Sequence, residues 1–110
     1  MFELLNEPTL WYGEEIQNVT KQFYLDAYDV ARRPWGSEAG NKTNWIIVFH
    51  DGFQRMNWWD NYMIGDQYEK VWIDDHYYQA FDERYMGISA EEHLRVSLVG
   101  RICDESRLTG

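Results

Sequence analysis

Three short apolar runs, each ending in polar residues and separated by helix-like stretches instead of tight turns, do most to constrain what this chain can fold into. Met1 to Leu5 is apolar except for Glu3 and reads as a buried strand. It runs into Asn6-Glu7-Pro8, where proline forbids continuation as a central strand. Trp45-Ile46-Ile47-Val48-Phe49 is an uninterrupted apolar, β-branched run of the kind covered on both faces, and it ends in His50-Asp51-Gly52. Val71-Trp72-Ile73 is a third strand, followed by Asp74-Asp75-His76-Tyr77-Tyr78. Between the first two, the segment from Glu14 to Arg33 carries Ile16, Val19, Phe23, Ala27 and Val30 at steps of three and four, the helical period. Glu14 and Glu15 lead this helix and Arg32-Arg33 trail it, as the helix dipole prefers, and Pro34 marks its stop.

Trp35 to Asn44, rich in Gly, Ser, Asn and Thr, reads as a loop. The aromatic stretch holding Phe53, Trp58, Trp59 and Tyr62 reads as a loop and a short helix. Ser89-Ala90-Glu91-Glu92 resembles a capping box, with Leu94, Leu98 and Ile102 at steps of four on a last helix interrupted by Gly100. Arg101 to Gly110 shows no pattern. No Asn-Gly or Asp-Gly turn joins two apolar runs, so the order predicts parallel strands with helical crossovers. Three such strands would leave two bare sheet edges and an uncovered face, which implies further strands beyond this segment.

Composition narrows the function. The 110 residues are 45% hydrophobic and 17% aromatic, too apolar for a disordered segment. Nineteen acidic against ten basic residues give a formal charge of −9, which repels phosphate backbones and anionic lipid surfaces, so neither nucleic acid nor membrane is an expected partner. No window approaches 18 consecutive apolar residues, and no basic, apolar leader is present at Met1. Cys103 is the sole cysteine, so neither an intrachain disulfide nor a cysteine-based zinc site is expected.

In a parallel α/β architecture the carboxyl ends of the strands share one face, where active sites form. Asn6 and Glu7, His50 and Asp51, and Asp74, His76 and Tyr78 are therefore expected to converge. A glutamate at a strand end among aromatic rings can have its pKa raised enough to act as a general acid near neutrality, and an adjacent asparagine can bind a substrate hydroxyl. The alternative for Glu7 is a loop cap. His76 and Tyr78, two apart, point to one side of an extended chain and can share a ligand; the alternative is a pair of core rings with satisfied polar tips. The histidines and aspartates also suit a divalent metal by type, but no recognised ligand spacing supports one, and no metal or cofactor is expected. Six tryptophans and five phenylalanines exceed the needs of a small core. Trp45 and Trp72 are assigned to it, while Phe53, Trp58, Trp59 and Phe81 follow strand ends, where rings can stack on sugars.

Four segments in register carry a family resemblance: Phe2-Glu3-Leu4-Leu5-Asn6-Glu7-Pro8, Lys21-Gln22-Phe23-Tyr24-Leu25-Asp26-Ala27-Tyr28, Val48-Phe49-His50-Asp51-Gly52-Phe53-Gln54 and Asp75-His76-Tyr77-Tyr78-Gln79-Ala80-Phe81. Together they resemble the fungal exo-β-1,3-glucanases of glycoside hydrolase family 5, from residue 2 to about residue 99. The resemblance implies an α/β fold, a fragment of an eight-stranded TIM (β/α) barrel covering strands four to six and their helices, where a whole barrel takes about 250 residues. Residues 1–99 would be a partial catalytic domain and 100–110 a divergent tail.

The same resemblance makes Glu7 the acid/base that protonates the glycosidic oxygen and later activates water. It gives Asn6 the sugar 2-hydroxyl, His76 and Tyr78 the support of the reacting centre, and Phe53 and Phe81, with His50 and Asp51, contacts to the glucan. The implied reaction releases glucose from the end of a β-1,3-glucan with retention, by a monomeric, extracellular or cell-wall enzyme whose signal segment would lie upstream. A cellulase-like endo-acting enzyme and a non-catalytic glucan-binding remnant are the alternatives. Retention needs a second carboxylate about 5–5.5 Å from the first. In the family that residue follows the seventh strand, so this segment alone is expected to be inactive.

Overall fold

The sheet has three parallel strands in the order β1-β2-β3: Phe2–Glu3, Ile47–His50 and Val71–Asp74. The structure, a computed structural model, describes residues 1–33 and 43–100. The stop at Pro34, most of the loop expected from Trp35 to Asn44, and Ile102, Cys103 and the rest of the tail lie outside the described residues. Two units are present, Met1–His76 and Tyr77–Gly110.

In the first unit Ile47 pairs with Phe2 on one side and with Val71 on the other, and the second ladder runs on to His50 opposite Asp74. The parallel arrangement follows from the missing hairpin turns: each return to the start of a strand needs a crossover, and the helix α1, Glu14–Arg32, supplies the first. A short 3-10 turn at Met56–Trp59 lies between β2 and β3. All four residues of β2 are buried, as its continuous apolar run predicts. β1 is shorter than the run from Met1 to Leu5 and is exposed; it is an edge strand, paired with β2 alone, and Phe2 rests on Trp45 at 6.0 Å. Trp45 precedes β2 and Trp72 points off the sheet, 42% and 58% exposed, so neither belongs to the core as expected.

The helix has the expected extent but a different inner face. Thr20, Tyr24, Tyr28, Ala31 and Arg32 are buried, whereas Ile16, Val19, Phe23 and Val30 face outward and Ala27 is half-buried. Tyrosine wins because its ring fills the core while its hydroxyl reaches the sheet and loops. Tyr24 donates to the His50 carbonyl at 3.0 Å, and Tyr28 donates to the Gln67 carbonyl and accepts from the Glu69 amide, each at 3.0 Å. Tyr24, Phe49 and Trp59 pack ring to ring at 5.0–6.1 Å, joined by Leu10, Ile47 and Met63 in one cluster.

At the far end of α1, the buried Arg32 guanidinium donates to the carbonyls of Thr43 and Trp45 ahead of β2 and of Glu69 ahead of β3. The second unit contains α2, Ala90–Arg95, which continues as a π turn at Val96–Gly100. The Ser89 hydroxyl accepts from the Glu92 amide at 3.2 Å, the N-cap that the capping-box pattern predicts.

Two loops at the carboxyl end of the sheet are locked together by close packing. Leu10, fully buried in the 3-10 turn Leu10–Tyr12, lies so tightly over Gly52 that a β-carbon there would sit 2.3 Å from Leu10 Cδ1. Gly52 also has φ +61°, a conformation other residues adopt at a cost. Gly52→Ala is therefore expected to lower stability by about 2–4 kcal/mol, the sum of overpacking and backbone strain, measured by urea unfolding.

Candidate active site

The residues that follow the three strands meet at one end of the sheet. Glu7 comes after β1 in a left-handed conformation, φ 49°, that bends the chain away once Leu4 has made its last ladder bond to the Val48 carbonyl. His50 is the last residue of β2, and the ladder pairs it with Asp74, the last residue of β3. His76, two residues on, returns over this end. Its Nδ1 stands 2.8 Å from Glu7 Oε1 and its Nε2 stands 3.2 Å from Asp74 Oδ2. One imidazole thus bridges two carboxylates. The bond from Glu7 is the main cause that pushes the His76 pKa up; partial loss of hydration works against it, and Asp74 adds to the rise.

His50 lies edge-on to His76 with ring centroids 4.3 Å apart, and it is completely buried. The Gly52 amide donates to its Nδ1 at 2.8 Å, so the proton of the neutral ring is on Nε2. That N–H has no hydrogen-bond partner among the described residues. A buried donor left unmatched costs about 1–3 kcal/mol, and beside a carboxylate it suits a ligand oxygen. One donor atom each from Glu7, His50 and His76 lies within 4.8 Å of the others, which by distance alone would suit a cation. The His50 tautomer argues for hydrogen-bond donation instead, since its inward nitrogen carries a proton where a metal needs a lone pair.

Asp51 is buried beside His50. Its Oδ1 accepts from the Phe53 amide at 2.9 Å, and its carbonyl accepts from the Trp59 indole at 2.9 Å. Burial pushes its carboxyl pKa up, opposed by the Phe53 amide and raised further by neighbouring Asp75. The aspartate therefore shapes the turn that holds Phe53 at φ 61° and 5.1 Å from the His50 ring. Asn6 is exposed next to Glu7. Glu7, His50, His76 and Phe53 are thus brought together in the first unit. Tyr78 and Phe81 belong to the second, where their rings lie 5.6 Å apart. Trp11, not singled out by its sequence context, packs on Phe53 at 5.4 Å. The only sign of it was an aromatic residue four positions after Glu7.

A glutamate and two histidines gathered at the ends of parallel strands stand where ligand sites form in such sheets. Comparison with known proteins gives the particular relatives. The chain is similar to the glucan 1,3-beta-glucosidase of Candida oleophila, 36% identical over 98 residues, covering 86% of this chain and 21% of that protein. The glucan 1,3-beta-glucosidase of Schwanniomyces occidentalis and glucan 1,3-beta-glucosidase I/II of Saccharomyces cerevisiae are each 33% identical over 96 residues, covering 86% of this chain and 20% of theirs. The chain spans about a fifth of the length of the curated relatives it matches. No family model matches it. None of the described helices is long and apolar enough to cross a membrane.

The bridge makes stability depend on pH in a defined sense. Because the His76 pKa is raised on folding, its contribution is fully present below the unfolded value of about 6.5 and is lost as pH rises through the folded value. The stability difference between the wild type and His76→Gln is expected to be largest near pH 6 and to shrink toward pH 9 in urea unfolding. A difference that stays constant across that range would show that the bridge does not titrate.

Proposed function

We propose that this chain carries the acid/base part of the active site of a β-1,3-glucan hydrolase in glycoside hydrolase family 5, built on a β/α barrel that the three parallel strands partly compose. The observation that carries this reading is the Glu7 carboxylate held 2.8 Å from His76 at the carboxyl end of the sheet, in a segment similar over 86% of its length to named glucan 1,3-beta-glucosidases.

Glu7 protonates the departing glycosidic oxygen and, in the second half of a retaining cycle, takes a proton from the attacking water. His76, with Nδ1 on Glu7 and Nε2 on Asp74, aligns the carboxylate and exchanges its proton with it. The orphaned His50 Nε2–H donates to a sugar oxygen, and Asp51 keeps the His50 loop in shape. Asn6 takes the 2-hydroxyl, Tyr78 supports the reacting centre, and Phe53 and Phe81 offer rings to the glucan. The nucleophile is a second carboxylate about 5–5.5 Å from Glu7, supplied by another part of the barrel. Neither metal nor cofactor enters this chemistry, and the enzyme works as a monomer outside the cell or in its wall, where its substrate is.

Replacing Glu7 by Gln keeps its size and removes the exchangeable proton. In the full-length protein, Glu7→Gln is expected to lower kcat/KM on β-1,3-glucan by about 100-fold or more. An aryl β-glucoside whose leaving group needs no protonation should keep far more of its rate in the glycosylation step. Glucan hydrolysis at the wild-type rate would overturn the assignment, and glucan binding without any hydrolysis by the wild type would favour a binding module.

A further inference from the structure

We propose that Asn18, on the outer face of α1, is an acceptor for an N-linked glycan. This rests on the extracellular location in the reading above and adds a covalent modification to it. Asn18-Val19-Thr20 is an Asn-x-Thr triplet whose middle residue is not proline, the pattern that marks such acceptors in exported proteins. Three residues match by chance often enough that the folded helix has to decide the matter, and it keeps the asparagine open. Asn18 is exposed, and its side chain makes no hydrogen bond among the described residues. The helical turn places it about 120° from Tyr24, which faces the sheet, and about 140° from Phe23, which lies on the outward apolar stripe with Ile16, Val19 and Val30. An element packed on that stripe would leave Asn18 clear. One turn away stand Glu14, Glu15, Lys21 and Gln22, polar chains with no ring to block a sugar.

The triplet is also an odd choice for the helix itself. Asn, Val and Thr are weak helix formers, and here all three follow one another near the start of a 19-residue helix. Asn18 and Val19 are exposed, so packing within this unit calls for neither, while Thr20 is buried beside the core-facing tyrosines. An acceptor triplet accounts for the run. Because Thr20 is covered in the finished helix, the triplet is readable only while the chain is still extended, during export and before α1 forms. The co-reactant is an oligosaccharide carried on a lipid diphosphate. The Asn18 amide nitrogen attacks its anomeric carbon, so that a C–N bond forms and the C–O bond to the diphosphate breaks. The nitrogen gives up one proton, and the lipid diphosphate leaves with the bonding electrons.

The test uses the full-length protein with its natural N-terminus, produced in a fungal host, and maps its peptides by mass spectrometry before and after an amidase that releases N-linked glycans and leaves an aspartate at each former acceptor. Position 18 is expected to carry a glycan. Asn18→Gln is expected to lose the mass of one glycan, and Thr20→Ser, which preserves the triplet, to keep it. A second triplet, Asn41-Lys42-Thr43, has its asparagine outside the described residues, so each comparison is repeated with Asn41→Gln. Hydrolysis of an aryl β-glucoside by Asn18→Gln is expected to match the wild type, since the residue lies on a face turned away from the sheet. Exported protein with a bare Asn18 overturns the proposal, and so does protein kept inside the cell without a glycan there. A glycan on Asn18 of a protein that hydrolyses no glucan leaves the acceptor standing and removes the hydrolase reading, whereas a bare Asn18 on an active enzyme does the reverse.

Discussion

Burial of the whole of β2 is the constraint on which the rest of the first unit depends. With both ladders occupied and both faces covered, its last residue, His50, cannot turn its imidazole to solvent. Its polar atoms other than Nε2 are then matched from nearby. Tyr24 takes the backbone carbonyl, the Gly52 amide takes Nδ1, and the loop has to turn sharply enough to deliver that amide. The sharp turn requires a residue without a β-carbon, and the space so created is filled by Leu10 from the neighbouring connection. Core packing and site geometry are therefore the same set of contacts.

The site follows the logic of parallel sheets. Side chains that need precise placement are put on strand termini, where the ladder fixes the backbone, and Glu7, which lies just beyond a two-residue strand, receives the stiffness it lacks from His76. That imidazole is itself steadied by Asp74, so the carboxylate is oriented through two hydrogen bonds that begin on a four-residue strand.

Much of this was legible in the sequence, for physical reasons that differ from element to element. The continuous β-branched run of β2 could be little other than a doubly covered strand, and the absence of hairpin turns forced parallel pairing. The inner face of α1 was not legible, because Ile16, Val19 and Phe23 look more apolar than Thr20, Tyr24 and Tyr28, while the decisive property of the tyrosines, hydroxyls that meet carbonyls on distant loops, has no periodic signature. Trp45 and Trp72 looked like core residues because they adjoin or occupy strands, yet Trp45 lies ahead of the buried stretch of β2, and alternation along β3 turns Trp72 away from the face on which Val71 and Ile73 meet the core. Glu7 and His76, 69 residues apart, could be joined only through the rule that parallel strand ends share a face. Trp11 sits in an irregular turn after a proline, where no period operates.

Arg32 and His76 give the two ends of the sheet opposite characters. At the entry end, a guanidinium ties α1 to the carbonyls that precede β2 and β3, acting as a donor only. At the exit end, the corresponding tie between β1 and β3 runs through an imidazole whose pKa the two carboxylates push up. The two ties therefore answer differently to their surroundings: the one at the base is a plain donor, whereas the one at the rim tightens when the imidazole gains a proton, so that acidity sets the stiffness of the end of the sheet where Glu7 lies.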